Sequence, residues 1–354
     1  MKSKVSLFRK SLLVFIAAVV AVIALRVGPS AQAQAAMPLV YGIFATPLEE
    51  PWDNVIHQAL LAAEKAGTIK YEHTDNIGYS GDMEKVLRDV ADKKKPVLII
   101  GDGFGNEEAI RAVAADYPGI AFAFGSELGP TNPNLSVFDN WIHEPAYLCG
   151  MIAGGITKSG TVGVVAAMPI PEVNRLVNAF KAGVLDSNPN AKVRVTYINS
   201  FFDPATAKDA ALALIDSGAD VLYAERFGVI EAAASKKVSV FGNMTDQNSL
   251  APDWVITGPV WNMAPTVTYL LKQIASGSYT AQDLKDFSGM AKGGSLLAPF
   301  HDVDKKLPKD LIAKVLKVQD QLVKGTFRVE IDEKAPSDFV IATPAATAAA
   351  TAAK

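Results

Sequence analysis

Short apolar, β-branched runs recur along the chain, with amphipathic stretches between them. Residues 39–44, 69–73, 96–101, 119–124 and 135–138 have the pattern of strands. Helical periodicity over 53–65, 82–93 and 107–116 separates the first four. A second series follows, with strands at 161–166, 192–198, 220–224 and 237–242. Its helices are expected at 171–184, 204–217 and 228–234. Strands that are apolar on both faces and alternate with helices predict parallel sheets covered on both sides. Two such series in tandem predict two doubly wound α/β domains. Local signals agree. Asp203-Pro204 reads as an N-cap followed by proline in the first helical turn. Glu107 and Glu108 stand where a helix N-terminus favours carboxylates. A further helix is expected at 309–323 and a strand at 327–331.

The two ends break this pattern. Lys2, Lys4, Arg9 and Lys10 precede an unbroken apolar run from 12 to 25. Ala31-Gln32-Ala33 and Ala33-Gln34-Ala35 then offer small residues for cleavage. The order is that of a secretory signal peptide over 1–36. Arg26 closes the run short of the roughly 20 residues a membrane span needs. No cysteine lies near the cleavage site, so lipoprotein processing is not expected. At the other end, 338–354 is Ala/Thr-rich and is expected to be disordered.

Composition narrows the function. Lys and Arg total 34 against 37 Asp and Glu, a formal net charge of −3. Cleavage near Ala33 removes five basic residues, giving 29 against 37, or −8. No long basic block exists, so nucleic acid is not an expected partner. The single cysteine, Cys149, sits in an apolar helical stretch and reads as a small core residue. The four histidines have no metal-ligand spacing, and no GxSxG elbow occurs. Gly101-Asp102-Gly103-Phe104-Gly105 follows a strand, yet it is not a dinucleotide fingerprint. Asp102, Glu107 and Glu108 would repel a phosphate there. The turn reads instead as the lining of a cleft. No catalytic residue, cofactor or metal is expected.

The segments following the strands carry rings and charges: Trp52, Asp53, Phe104, Trp141, Phe201, Arg226, Asp246 and Trp261. In doubly wound sheets ligands bind outside the carboxyl ends of the strands. Rings there suit a flat ligand held face to face, with acids and an arginine on its polar edge. The alternative is that each ring packs under its own loop.

Five short motifs carry a resemblance. Glu49-Glu50-Pro51-Trp52-Asp53-Asn54, Glu144-Pro145-Ala146-Tyr147-Leu148-Cys149-Gly150, Tyr197 through Pro204, Asp246-Gln247 and Gly293-Gly294 occur in one order. Together they resemble the basic-membrane-protein family of solute receptors, which includes purine nucleoside receptors of ABC importers. The resemblance implies a type I periplasmic-binding-protein fold. Two doubly wound parallel-sheet lobes would be joined by a three-segment hinge near 140–143, 257–259 and 289–290. Lobe one would comprise 37–140 plus 258–289, and lobe two 141–257 plus 290–337. It also implies a monomeric extracytoplasmic receptor whose partners are a purine base or nucleoside and an ABC permease. The family's stacking Phe residues fall on Trp52 and Phe201, an adjacent Asn on Asp53, and its ligand-binding Asp on Asp246. A lysine that helps hold the ribose is replaced at Trp261. The replacement predicts that a free base binds at least about tenfold more tightly than its nucleoside. A sensor of the same fold, or an extracytoplasmic enzyme acting on nucleosides, are the competing readings.

The signal-peptide reading predicts a mature N-terminus between Gln34 and Met37. Sequencing the exported protein tests it, and a chain that still begins at Met1 would refute it.

Overall fold

The computed structural model describes residues 37–125, 129–131 and 133–342. The leader with its cleavage site and the tail beyond 342 lie outside the described residues.

The first lobe contains strands β1 (Leu39–Ile43), β2 (Lys70–Thr74), β3 (Leu98–Asp102), β4 (Ala121–Gly125) and β5 (Leu135–Phe138). Helices α1 (Pro51–Lys65), α2 (Asp82–Lys93) and α3 (Glu107–Asp116) connect them. All pairs are parallel, in the order β2-β1-β3-β4-β5. β3 and β4 are buried at every position. One face of this sheet packs with Ile56, Leu60 and Val267, the other with Met83, Leu87 and Ile110.

The second lobe begins with α4 (His143–Ile156). Then come β6 (Thr161–Ala166), α5 (Pro171–Ser187), β7 (Lys192–Tyr197), α6 (Pro204–Asp216), β8 (Val221–Ala224), α7 (Val229–Lys236) and β9 (Ser239–Phe241). α6 starts as its sequence predicts: Asp203 caps it through the Thr206 amide at 3.0 Å, and Pro204 opens its first turn. α4 and α5 approach closely. A Cβ on Gly150 would lie 2.0 Å from the Phe180 carbonyl oxygen, and one on Gly183 2.0 Å from that of Tyr147. Cys149 is wholly buried in this contact, as an apolar core residue.

The chain then crosses back. β10 (Pro259–Trp261) leads to α8 (Ala264–Ala275), which joins the core of the first lobe. β11 (Ser295–Leu297) pairs antiparallel with β10 on the return, and α9 (Lys309–Val323) packs on α4 in the second lobe. The three crossings are tied together. The Trp261 indole nitrogen donates to the Ser288 hydroxyl at 2.8 Å, and that hydroxyl donates to the Asp139 carbonyl.

Two expectations at the C-terminal end need correction. Residues 327–331 form no strand. Phe327 and Val329 bury their side chains against the second lobe's core, but the backbone joins no ladder. The chain is strapped instead by asparagines of α5. Asn178 donates to the carbonyls of Asp332 and Lys334, and Asn174 to that of Glu333. This delivers β12 (Phe339–Ile341), which pairs parallel with β7. Part of the stretch expected to be disordered is therefore an edge strand, in the sheet order β12-β7-β6-β8-β9. Its Phe-Val-Ile sequence has strand propensity, but it is short and its side chains are exposed.

A buried guanidinium joins the first crossing to this strap. Arg175 of α5 pairs with Asp139 at 2.6 Å and also with Glu333. Removing one member of a buried pair leaves the other charge unpartnered. Arg175→Met is therefore expected to cost about 3–5 kcal/mol, read from urea unfolding. Adding Asp139→Asn should recover part of that loss, and a lone Arg175→Met near wild-type stability would contradict the assignment.

Candidate functional site

The strands of both sheets end at one cleft that is open to solvent. Trp52, Asp53, Phe104, Phe201 and Arg226 line it. Trp52 stands in the first turn of α1. Its backbone amide donates to Glu50 at 2.7 Å, and Glu50 is the helix N-cap. The ring passes over the end of β4, where a Cβ on Gly125 would come within 2.1 Å of it. Phe138 stacks on it with centroids 6.1 Å apart. Phe104 and Phe201 come from different lobes and meet edge to face at 4.8 Å.

The polar lining is mostly carboxylic. The Asp53 Oδ2 atom accepts from the Thr46 amide at 3.1 Å and hydroxyl at 2.6 Å, while Oδ1 is buried without a partner. Asp102, at the end of β3, accepts from the Phe104 amide at 2.9 Å. Glu172, in the first turn of α5, accepts from the Asn140 amide nitrogen at 2.6 Å. Arg226 is the counter-charge. It donates to Glu225 through Nε at 2.9 Å and Nη2 at 2.6 Å, and to the Phe201 carbonyl at 2.8 Å. It also reaches Glu50 of the other lobe at 3.4 Å.

Burial sets the ionisation of these acids. It raises Asp53 well above the ordinary carboxylate range, with the Asp102 and Glu50 charges adding to it. It carries Asp102 to about 7. It carries Glu172 to about 8, with Asp139 adding to it. Glu50 and Glu225 are also raised by burial, against the pull of Arg226.

Three residues expected here stand elsewhere. Trp141 turns away to lie against Arg175, with the guanidinium 5.3 Å from its ring centroid. Asp246 is at the surface, paired with His301 at 2.9 Å. Trp261 is buried behind Trp52, centroids 5.0 Å apart, because the β10–β11 pairing directs its indole into the core. It is not among the residues that line the cleft. The turn at 101–105, read from the sequence as the lining of a cleft, contributes Asp102, whereas sequence reasoning missed Glu50 and Glu172. Their signal was positional: each is an acid just past a strand or at a helix start.

Two parallel-sheet lobes with a ring- and acid-lined cleft between them make up a solute-binding protein. A family model described as "ABC transporter substrate-binding protein PnrA-like" matches residues 43–331, and the chain belongs to that family. The purine-binding protein BAB2_0673 of Brucella abortus (strain 2308) is 28% identical over 295 residues, 81% of this chain and 83% of that one. TsgA13 of Haloferax volcanii, named for glucose binding in an ABC transporter, is 33% identical over 249 residues. That match covers 70% of this chain and 62% of the Haloferax protein. An ABC transporter solute-binding protein from Aeropyrum pernix K1 shares the fold. Its TM-score is 0.69 at 20% identity, covering 83% of this chain and 94% of that one. These are binding proteins, not enzymes. Membership implies a small-molecule ligand, an ABC permease and work outside the cytoplasm. Among the described residues no helix is long and apolar enough to cross a membrane.

The raised carboxyls give a pH dependence. Between its unfolded and folded values, each makes the native chain hold more protons than the unfolded chain. Stability then falls as pH rises. His143, lowered to about 4 by burial and by Arg175, has the opposite slope, but only below its ordinary 6.5. From pH 6.5 to 8 the ligand-free protein should therefore lose on the order of 1–2 kcal/mol. That is about 2–4 °C in melting temperature. Glu172→Gln should flatten the fall, and an unchanged slope in that variant would place its source elsewhere.

Proposed function

We propose that this chain is the receptor of an ABC importer and captures a flat heterocycle, a purine base or its nucleoside, between its lobes. The observation that carries the reading is that Trp52 and Phe201 reach one cleft from different sheets. A planar ligand touching both rings holds the lobes together, and occupancy becomes a closed shape that a permease can recognise. The name of the Brucella relative supports a purine.

The preference for a free base over its nucleoside rested on Trp261 beside the ligand. With Trp261 behind Trp52, that argument lapses, and base and nucleoside stand equal. A second reading is a hexose. The name of TsgA13 favours it, and so does a cleft in which carboxylates and a tryptophan meet. A sensor of the same fold would bind in the same way and differ in its partner.

Titration calorimetry with adenine, adenosine and glucose tests these readings. Adenine or adenosine should bind and glucose should not. Stacking on an aromatic side chain is worth roughly 1–3 kcal/mol per base. Trp52→Ala or Phe201→Ala should then weaken purine binding by about one to two decades and leave the fold intact. Unchanged affinity in both variants would remove these rings from the site.

A further inference from the structure

We propose that the cleft selects by charge: it accepts a ring whose polar edge is made of N–H or O–H donors, a cation above all, and rejects an anion. The inference rests on the reading that this cleft is the ligand site, but not on which ring fills it.

The unpartnered Asp53 oxygen is the starting point. Asp53 is 1% exposed and lines the cleft, yet Oδ1 accepts no hydrogen bond. A buried acceptor left unmade is costly, and a carboxylate more so. Asp102 and Glu172 add to the demand, because each spends one oxygen on the protein and lines the same space. The guanidinium that lines the cleft is already paired. Arg226 is held by Glu225, Glu50 and the Phe201 carbonyl.

The ligand must therefore bring the donors. An amine, amidine or hydroxyl edge supplies them, and a positive charge lets the buried acids ionise with a partner. A carboxylate or an ionised oxo group would instead bring an unpaired negative charge into a poorly solvated space and keep these acids from ionising.

Calorimetry at neutral pH with two matched pairs tests the proposal. Adenine and purine-6-carboxylate share one ring system, glucosamine and glucuronate another. In whichever pair binds, the amine-bearing member should bind at least about tenfold more tightly than the carboxylate. Asp53→Asn turns the free acceptor into a donor while its remaining oxygen keeps the Thr46 bonds. It should shrink that ratio at least about threefold without lowering the melting temperature. Purine-6-carboxylate or glucuronate binding as tightly as its partner, a ratio unmoved in Asp53→Asn, or no binding by either pair would each overturn the proposal. Binding confined to the sugar pair, with glucosamine preferred, would sink the purine reading and leave charge selection standing.

Discussion

The guanidinium of Arg226 is buried among groups from both lobes, and the cleft is arranged around it. Glu225 and the Phe201 carbonyl hold it from the second lobe, and Glu50 reaches it from the first. Glu50 has a second duty, since its other oxygen caps α1 and fixes the backbone at Trp52 and Asp53. The position of Trp52 and the pairing of the buried charge thus pass through one carboxyl group. Three of the acids that Arg226 does not reach are placed where the fold tolerates them. Asp53, Glu107 and Glu172 all lie in first helical turns, where the positive end of the helix dipole offsets part of the cost of burying negative charge. The parallel topology brings those helix starts to one side, so a doubly wound sheet concentrates carboxylates at its ligand end.

Much of the fold was legible because parallel strands buried on both faces leave a plain mark. The runs read at 96–101, 119–124 and 161–166 are nearly apolar without alternation, and each contains an inner strand of its sheet. The run at 327–331 misled because apolar side chains seek a core whether or not the backbone has a ladder to join. β12 was hidden because three residues beside an Ala/Thr tail carry little signal, and its place depends on asparagines more than 150 residues away in sequence. In the site, Trp52, Phe104 and Phe201 were readable as rings just past strand ends. Trp261 shares that sequence position, but an antiparallel pairing that nothing local announces turns it inward. The carboxylates were harder to read, since an acid at a helix start is ordinary. Only the convergence of two sheets shows that several of them share one space.

The close contact of α4 with α5 gives the second lobe a stiff base beside the first crossing. With backbone atoms where a Cβ would be, Gly150 and Gly183 let the helices touch without intervening side chains. Substituting either would force the helices apart, and with α5 would move Glu172 and Arg175. The acid in the cleft and the cation at the crossing therefore ride on one rigid rod, so Asp139 and Asn140 are gripped from the same helix.

The hydroxyl of Ser288 links the three chain crossings, and Trp261, which donates to it, lies against the back of Trp52. The junction of the three crossings is therefore also the floor beneath Trp52. Were the lobes to turn about that junction, a small displacement of the ring would become a larger travel at their outer rims.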